Sequence, residues 1–93
     1  MESVKNNEAE HRFELEVDGQ TAISEYQRRN GTIVFTHTEV PLKLEGKGIG
    51  NALARSALDY ARSEGLQVVP RCPFIAAFIK RHREYQDLVD EKS

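Results

Sequence analysis

Between Leu44 and Leu53 the chain reads LEGKGIGNAL, with glycines at the alternate positions 46, 48 and 50 and a helix-forming run directly after them. Glycine lets a backbone approach a ligand with no Cβ in the way, and a helix N-terminus adds unpaired N–H groups at the positive end of its dipole. The chemistry of the stretch is therefore anion binding, with phosphate as the usual anion. Spacing narrows the choice. A Walker loop needs G-x-x-x-x-G-K-[ST], but Gly50 is followed by Asn51 and Ala52, with no lysine and no hydroxyl for phosphate and magnesium. A dinucleotide fingerprint needs G-x-G-x-x-G; Gly46 and Gly48 match, and Asn51 stands at the third position. The plain alternative is a turn that only links two elements, for which one or two glycines suffice.

The second reactive feature is Cys72, in PRCPF. A cysteine just before a helix lies near unpaired N–H groups and the positive helix end, and Arg71 adds a cation; both favour thiolate. A small buried hydrophobe is the competing role for a free cysteine. The histidines His11, His37 and His82 are scattered, without HExxH or a comparable spacing, so no metal site is expected.

These residues need elements to position them. HRFELEVD alternates Phe13, Leu15 and Val17 against polar neighbours and ends at Asp18-Gly19, a strand followed by a hairpin turn. QTAISEYQRRN alternates Ala22, Ser24 and Tyr26 against Ile23, Glu25 and Gln27 and ends at a second hairpin signal, Asn30-Gly31. TIVFTHTEV is β-branched and aromatic, with Ile33 and Phe35 on one face and Val34, Thr36, Thr38 and Val40 on the other; Pro41 closes it. Two tight turns make these three strands an antiparallel meander. From Gly48 to Glu64 the period becomes helical through Ile49, Leu53, Ala57, Tyr60 and Ala61, with Gly65 as the stop. LQVVP is a fourth strand, parallel to the third through a right-handed crossover. PFIAAFIKRH is a second helix with Pro73 at its first position and Phe74, Ala77 and Phe78 as its buried face; REYQDLVDEKS is a weak helical extension or tail.

With the order β-β-β, glycine loop, α, β, α in place, a third phosphate loop fits. Coenzyme A loops follow [R/Q]-x-x-G-x-[G/A] between a strand and a long helix, and Glu45 to Gly50 match five of the six positions. The stretch HTEVPLKLEGKGIGNALARSALDYARSEGLQVVPRCPFIAAFIKRH resembles the acyl-CoA-binding core of the GNAT acetyltransferase superfamily, in its minimal single-domain members, and the likeness runs from about His11 to Val89. It implies an α/β (α+β) GNAT-like fold whose third and fourth strands are parallel and splayed. It implies acetyl-CoA or coenzyme A as cofactor and an acetyl transfer to an amine acceptor, a small molecule or a protein lysine. A coenzyme A-binding module without turnover is the alternative.

The resemblance assigns the cofactor-binding residues Gly46, Lys47, Gly48, Ile49, Gly50 and Asn51 to the pyrophosphate, and backbone groups of Thr38 and Val40 to the pantetheine arm. Glu45 departs from the usual Arg or Gln, which is tolerable where the position acts through its backbone. Arg81, in the cluster Lys80, Arg81, His82 and Arg83, is assigned to the 3′-phosphate; cations at a helix C-terminus are also favourable by themselves. Glu39 stands where many members keep a base, with His37 on the same face, and Tyr85 is a candidate proton donor to the leaving thiolate. Cys72 resembles a cysteine of the minimal group, where it would take the acetyl group in a covalent relay, touch the cofactor, or only pack.

Composition bounds these readings. Ninety-three residues suit one domain with a modest core, and 39% apolar with 30% charged residues is a globular composition. The expected division is a flexible tail at 1–9, a single domain at 10–89 and a short tail at 90–93. MESVKNNEAEHR has no apolar core of a secretory signal, and no run approaches the roughly 20 apolar residues of a membrane span, so no membrane partner and a cytoplasmic location are expected. A net charge of −2 gives no footprint for nucleic acid. The exposed edge of so small a sheet is compatible with a monomer or a weak homodimer.

Overall fold

A computed structural model describes residues 3–89; residues 1, 2 and 90–93, including the expected C-terminal tail, lie outside the described residues. The chain runs β1 (Lys5–Asn7), β2 (Arg12–Val17), β3 (Gln20–Arg29), β4 (Thr32–Glu39), α1 (Ile49–Ser63), β5 (Gln67–Pro70) and α2 (Pro73–Arg81), and a 3-10 helix over Arg83–Leu88 follows. The strands form one sheet in the order β1-β2-β3-β4-β5, antiparallel except for β5, which runs parallel to β4. The meander followed by α-β-α is as the hydrophobic periods predict.

One strand more is present than the periods predict. Lys5–Asn7, expected in a flexible tail, pairs antiparallel with β2, Asn6 opposite Phe13. The reason lies in the core: Tyr26 is buried, and its hydroxyl donates to Asn6 Oδ1 at 2.7 Å. A buried phenol needs an acceptor, and the N-terminal segment supplies it.

Alternate residues of each strand face the helices. Phe13, Leu15, Ala22, Tyr26, Ile33, Phe35 and Val68 pack in one cluster with Leu53, Ala57, Leu58 and Ala61 of α1 and Ile75, Phe78 and Ile79 of α2. The buried face of α2 thus differs from the expected one, for Phe74 and Ala77 are only half-buried. The segment after α2 is less loose up to Val89 than expected, since Tyr85 and Leu88 are buried and Val89 bridges Val68. No helix of the described residues is long and apolar enough to cross a membrane.

A β-bulge interrupts β4. Tyr26 stands opposite Phe35 but Glu25 stands opposite His37, so Thr36 is the extra residue, and its hydroxyl donates to the Glu25 carbonyl at 3.3 Å. Strict alternation places Thr38 on the face opposite Phe35. The extra residue reverses the phase, and Thr38, opposite buried Ser24, turns to the core face with Phe35.

Candidate functional site

The two parallel strands separate where the bulge begins. Their pairing ends at Phe35 opposite Pro70, and the Cys72 N–H closes it by donating to the Phe35 carbonyl at 2.9 Å. β4 continues to Glu39 with β3 on one side and, among the described residues, no strand on the other. This splay opens a cleft of about 710 Å³, within the range of small-molecule sites. Thr38, Glu39 and Val40 form one wall.

The glycine turn and the start of α1 form the opposite wall, through Glu45, Gly46, Gly48, Ile49, Gly50 and Asn51. Gly48 caps the helix in the left-handed region, with φ 74°, and a Cβ there would meet nothing within 4 Å. The first helical bond is from Ala52 N–H to Gly48 O, so the amides of Ile49, Gly50 and Asn51 have no acceptor within the helix. No side chain caps this end. Three donors and a dipole directed at open space suit a phosphate. The lining itself carries two carboxylates, Glu39 and Glu45, and no cation.

Phe74, the second residue of α2, completes the cleft. Gly50 is helical, and a Cβ on it would stand 2.7 Å from Phe74 Cζ. The third glycine of the motif thus admits an aromatic wall, a role that its spacing does not announce. The available signal was Phe74 itself, an aromatic placed by Pro73 in the first turn of the helix that follows β5.

At the inner end of the splay three side chains are linked. Ser24, wholly buried, shares a hydrogen bond of 3.1 Å with Thr38 Oγ1, and the Cys72 thiol donates to the same oxygen at 3.3 Å. Cys72 is only 2% exposed and does not line the cleft; Thr38 does. Ser24 was visible as a lone hydroxyl among core positions of an alternating strand, but only the register across the bulge connects it to Thr38.

The remaining candidates divide. Glu39 lines the cleft and is 3.2 Å from His37 Nε2, so the two expected bases form an exposed pair. Lys47 sits between two lining glycines, with its ammonium 3.8 Å from Asp18 in the β2–β3 turn. Arg81, exposed at the end of α2, is not part of the lining. Tyr85 is turned away: its hydroxyl donates to Asp59 Oδ1 at 2.7 Å and accepts from Arg55 at 3.2 Å, fastening the last 3-10 helix to α1. Burial, and then the bond to Asp59, push its phenol above the ordinary range. Among the described residues no group of three or more His, Cys, Asp or Glu could hold a metal ion.

Comparison with known proteins agrees with this architecture. Residues 12–88 match the model of the family described as GCN5-related N-acetyl-transferase. Protein NATD1 of Bos taurus is 32% identical over 82 residues, covering 85% of this chain and 73% of the relative. Protein NATD1 of Homo sapiens is 30% identical over 82 residues, with the same coverage of 85% and 73%. A GCN5-like protein of Staphylococcus aureus, solved in solution by NMR, superimposes with a TM-score of 0.75 at 26% identity, over 95% of this chain and 87% of that one.

Proposed function

Because the chain belongs to the GCN5-related N-acetyltransferase family, we propose that it binds acetyl-CoA in this cleft and transfers the acetyl group to an amine. The observation that carries the reading is the junction of two features in one cleft: the edge of β4 left open beyond Phe35 and the bare N-terminus of α1.

The residues fit the ligand by chemistry. The amides of Ile49, Gly50 and Asn51 would take the pyrophosphate, and Gly46 and Gly48 leave room for it to approach. The exposed Lys47 would add a mobile charge, and the Glu45 side chain, also exposed, can turn to solvent. Thr38, on the edge of β4 that β5 leaves open, and Val40, just past its end, would meet the pantetheine arm as an added strand does. Bound acetyl-CoA supplies an activated thioester. An amine in the cleft mouth needs a base, because its ordinary pKa keeps it protonated near neutrality. Glu39, at the mouth with His37 beside it, would take that proton.

Direct attack is favoured over a relay through Cys72, because the thiol is buried and engaged with Thr38. One observation favours the non-catalytic alternative. The sheet face opposite the helices, carrying Glu14, Glu16 and Glu25, is covered by no element of the described residues, so the acceptor's surroundings are open. The test is incubation with acetyl-CoA and small amines, polyamines and lysine peptides, followed by mass spectrometry of acceptors and of the intact protein. The reading expects an acetylated acceptor and no acetyl group on the protein. Binding without transfer to any amine would leave the module; an adduct on Cys72 would restore the relay.

A further inference from the structure

We infer that the Thr38 hydroxyl is a hydrogen-bond donor directed into the cleft, fixed in that role by Ser24 and Cys72, and that its acceptor is the acyl carbonyl oxygen of the bound thioester. The inference rests on the acetyl-CoA reading above.

Ser24 is wholly buried among apolar side chains, and among the described residues its hydroxyl has a single partner, Thr38 Oγ1 at 3.1 Å. If Thr38 donated in that bond, the Ser24 hydrogen would be left in an apolar core with no acceptor, which carries the full desolvation cost of the group. Ser24 therefore donates. The Cys72 thiol also donates to Thr38 Oγ1. A threonine hydroxyl has two lone pairs and one hydrogen. Both lone pairs are used on the core side, and the hydrogen remains for the side on which Thr38 lines the cleft. Ser24 and Cys72 are thus positioning residues, and the group they position is a donor with no acceptor among the described residues.

Place identifies the acceptor. The helix N-terminus holds the anionic end of the ligand at one wall, and Thr38 stands at the inner end of the splay, beside Cys72 and the last β4–β5 pair. The end remote from the phosphates is the thioester, and its carbonyl oxygen gains negative charge as the amine attacks. A preformed donor there binds the reacting state more strongly than the ground state.

The experiment compares acetyl-CoA with coenzyme A, which lacks that carbonyl, in the wild type, Thr38→Val, Thr38→Ser and Ser24→Ala. Affinities are measured by calorimetry, and the carbonyl stretch of bound acetyl-CoA by isotope-edited infrared. The expected result is a carbonyl band shifted to lower frequency in the wild type and in Thr38→Ser, returning toward the free value in Thr38→Val. The preference for acetyl-CoA over coenzyme A should fall about three- to tenfold in Thr38→Val, the size of one neutral hydrogen bond. Ser24→Ala, which keeps Thr38 and removes one buried oxygen, should give an intermediate band, and it carries the test if Thr38→Val does not fold. An unchanged band and preference in Thr38→Val, or in Ser24→Ala where that variant must serve, overturns the inference and leaves the acetyl-CoA reading intact. If the wild type binds neither ligand, that reading fails and the inference fails with it.

Discussion

The ring of Phe74 rests against the backbone of Gly50 so closely that a Cβ there would stand 2.7 Å from its Cζ. A helix-start glycine and an aromatic from the next helix thereby share one wall of the cleft. The glycine motif serves two ends, since Gly46 and Gly48 have positive φ in the turn and Gly50 makes room for the ring.

Gly50→Ala should therefore alter binding more than stability. Alanine gains up to about 1 kcal/mol in helix propensity, and displacing the half-buried tip of Phe74 costs a similar amount. Thermal unfolding should shift little, while acetyl-CoA affinity falls at least about tenfold as the ring swings into the cleft. Gly50→Ala in a Phe74→Ala background should be stabilising, and a double-mutant cycle measures the difference.

Gly48→Ala should lower stability by about 1 kcal/mol, because its left-handed φ is strained for any residue with a Cβ although no atom stands in the way. Denaturant unfolding measures this. Acetyl-CoA affinity should fall further than the stability loss explains, since the new methyl enters the space facing the free amides.

Removing residues 1–7 should destabilise the fold by about 1 to 3 kcal/mol, the cost of leaving the buried Tyr26 hydroxyl without Asn6. Tyr26→Phe should reduce the penalty of the same truncation, because no donor is then orphaned. A solvated tail would give no change in either background.

Acid should loosen the C-terminal 3-10 helix. Arg62 donates to both oxygens of Asp87, at 3.0 and 2.8 Å, and this holds the Asp87 carboxyl below its ordinary value of 3.8. A lowered folded pKa contributes stability that is present above the unfolded value and is lost as pH falls through the folded one. The Tm advantage of wild type over Asp87→Asn should thus be present near neutrality and shrink below about pH 4. Both groups are exposed, so the effect is small and weakens with salt.

The strands and helices were legible because their signals are local: two hairpin dipeptides, a change of period after Gly48, and Pro73 at a helix start. Three things were not. The strand at Lys5–Asn7 has no period of its own and exists because Tyr26 needs an acceptor across the sheet. The bulge at Thr36 carries no residue signature, yet it decides which face Thr38 presents, and so the alternation read for β4 fails beyond Phe35. The pairing of Gly50 with Phe74 joins residues of two helices, a relation that only packing reveals. The glycine loop is legible as an anion-binding candidate from its glycines and the helix after them, but the company it keeps, Thr38 and Phe74, depends on register and contact.

The central claim is that the open end of β4 and the bare start of α1 form one acetyl-CoA site. The direct measurement is the change in amide NMR shifts on titration with acetyl-CoA, coenzyme A and ATP. Gly46, Gly48 to Asn51, Thr38 and Val40 should respond together to acetyl-CoA and coenzyme A at concentrations where ATP leaves them unmoved. Silence of the glycine loop with both, or an equal response to ATP confined to that loop, would contradict it.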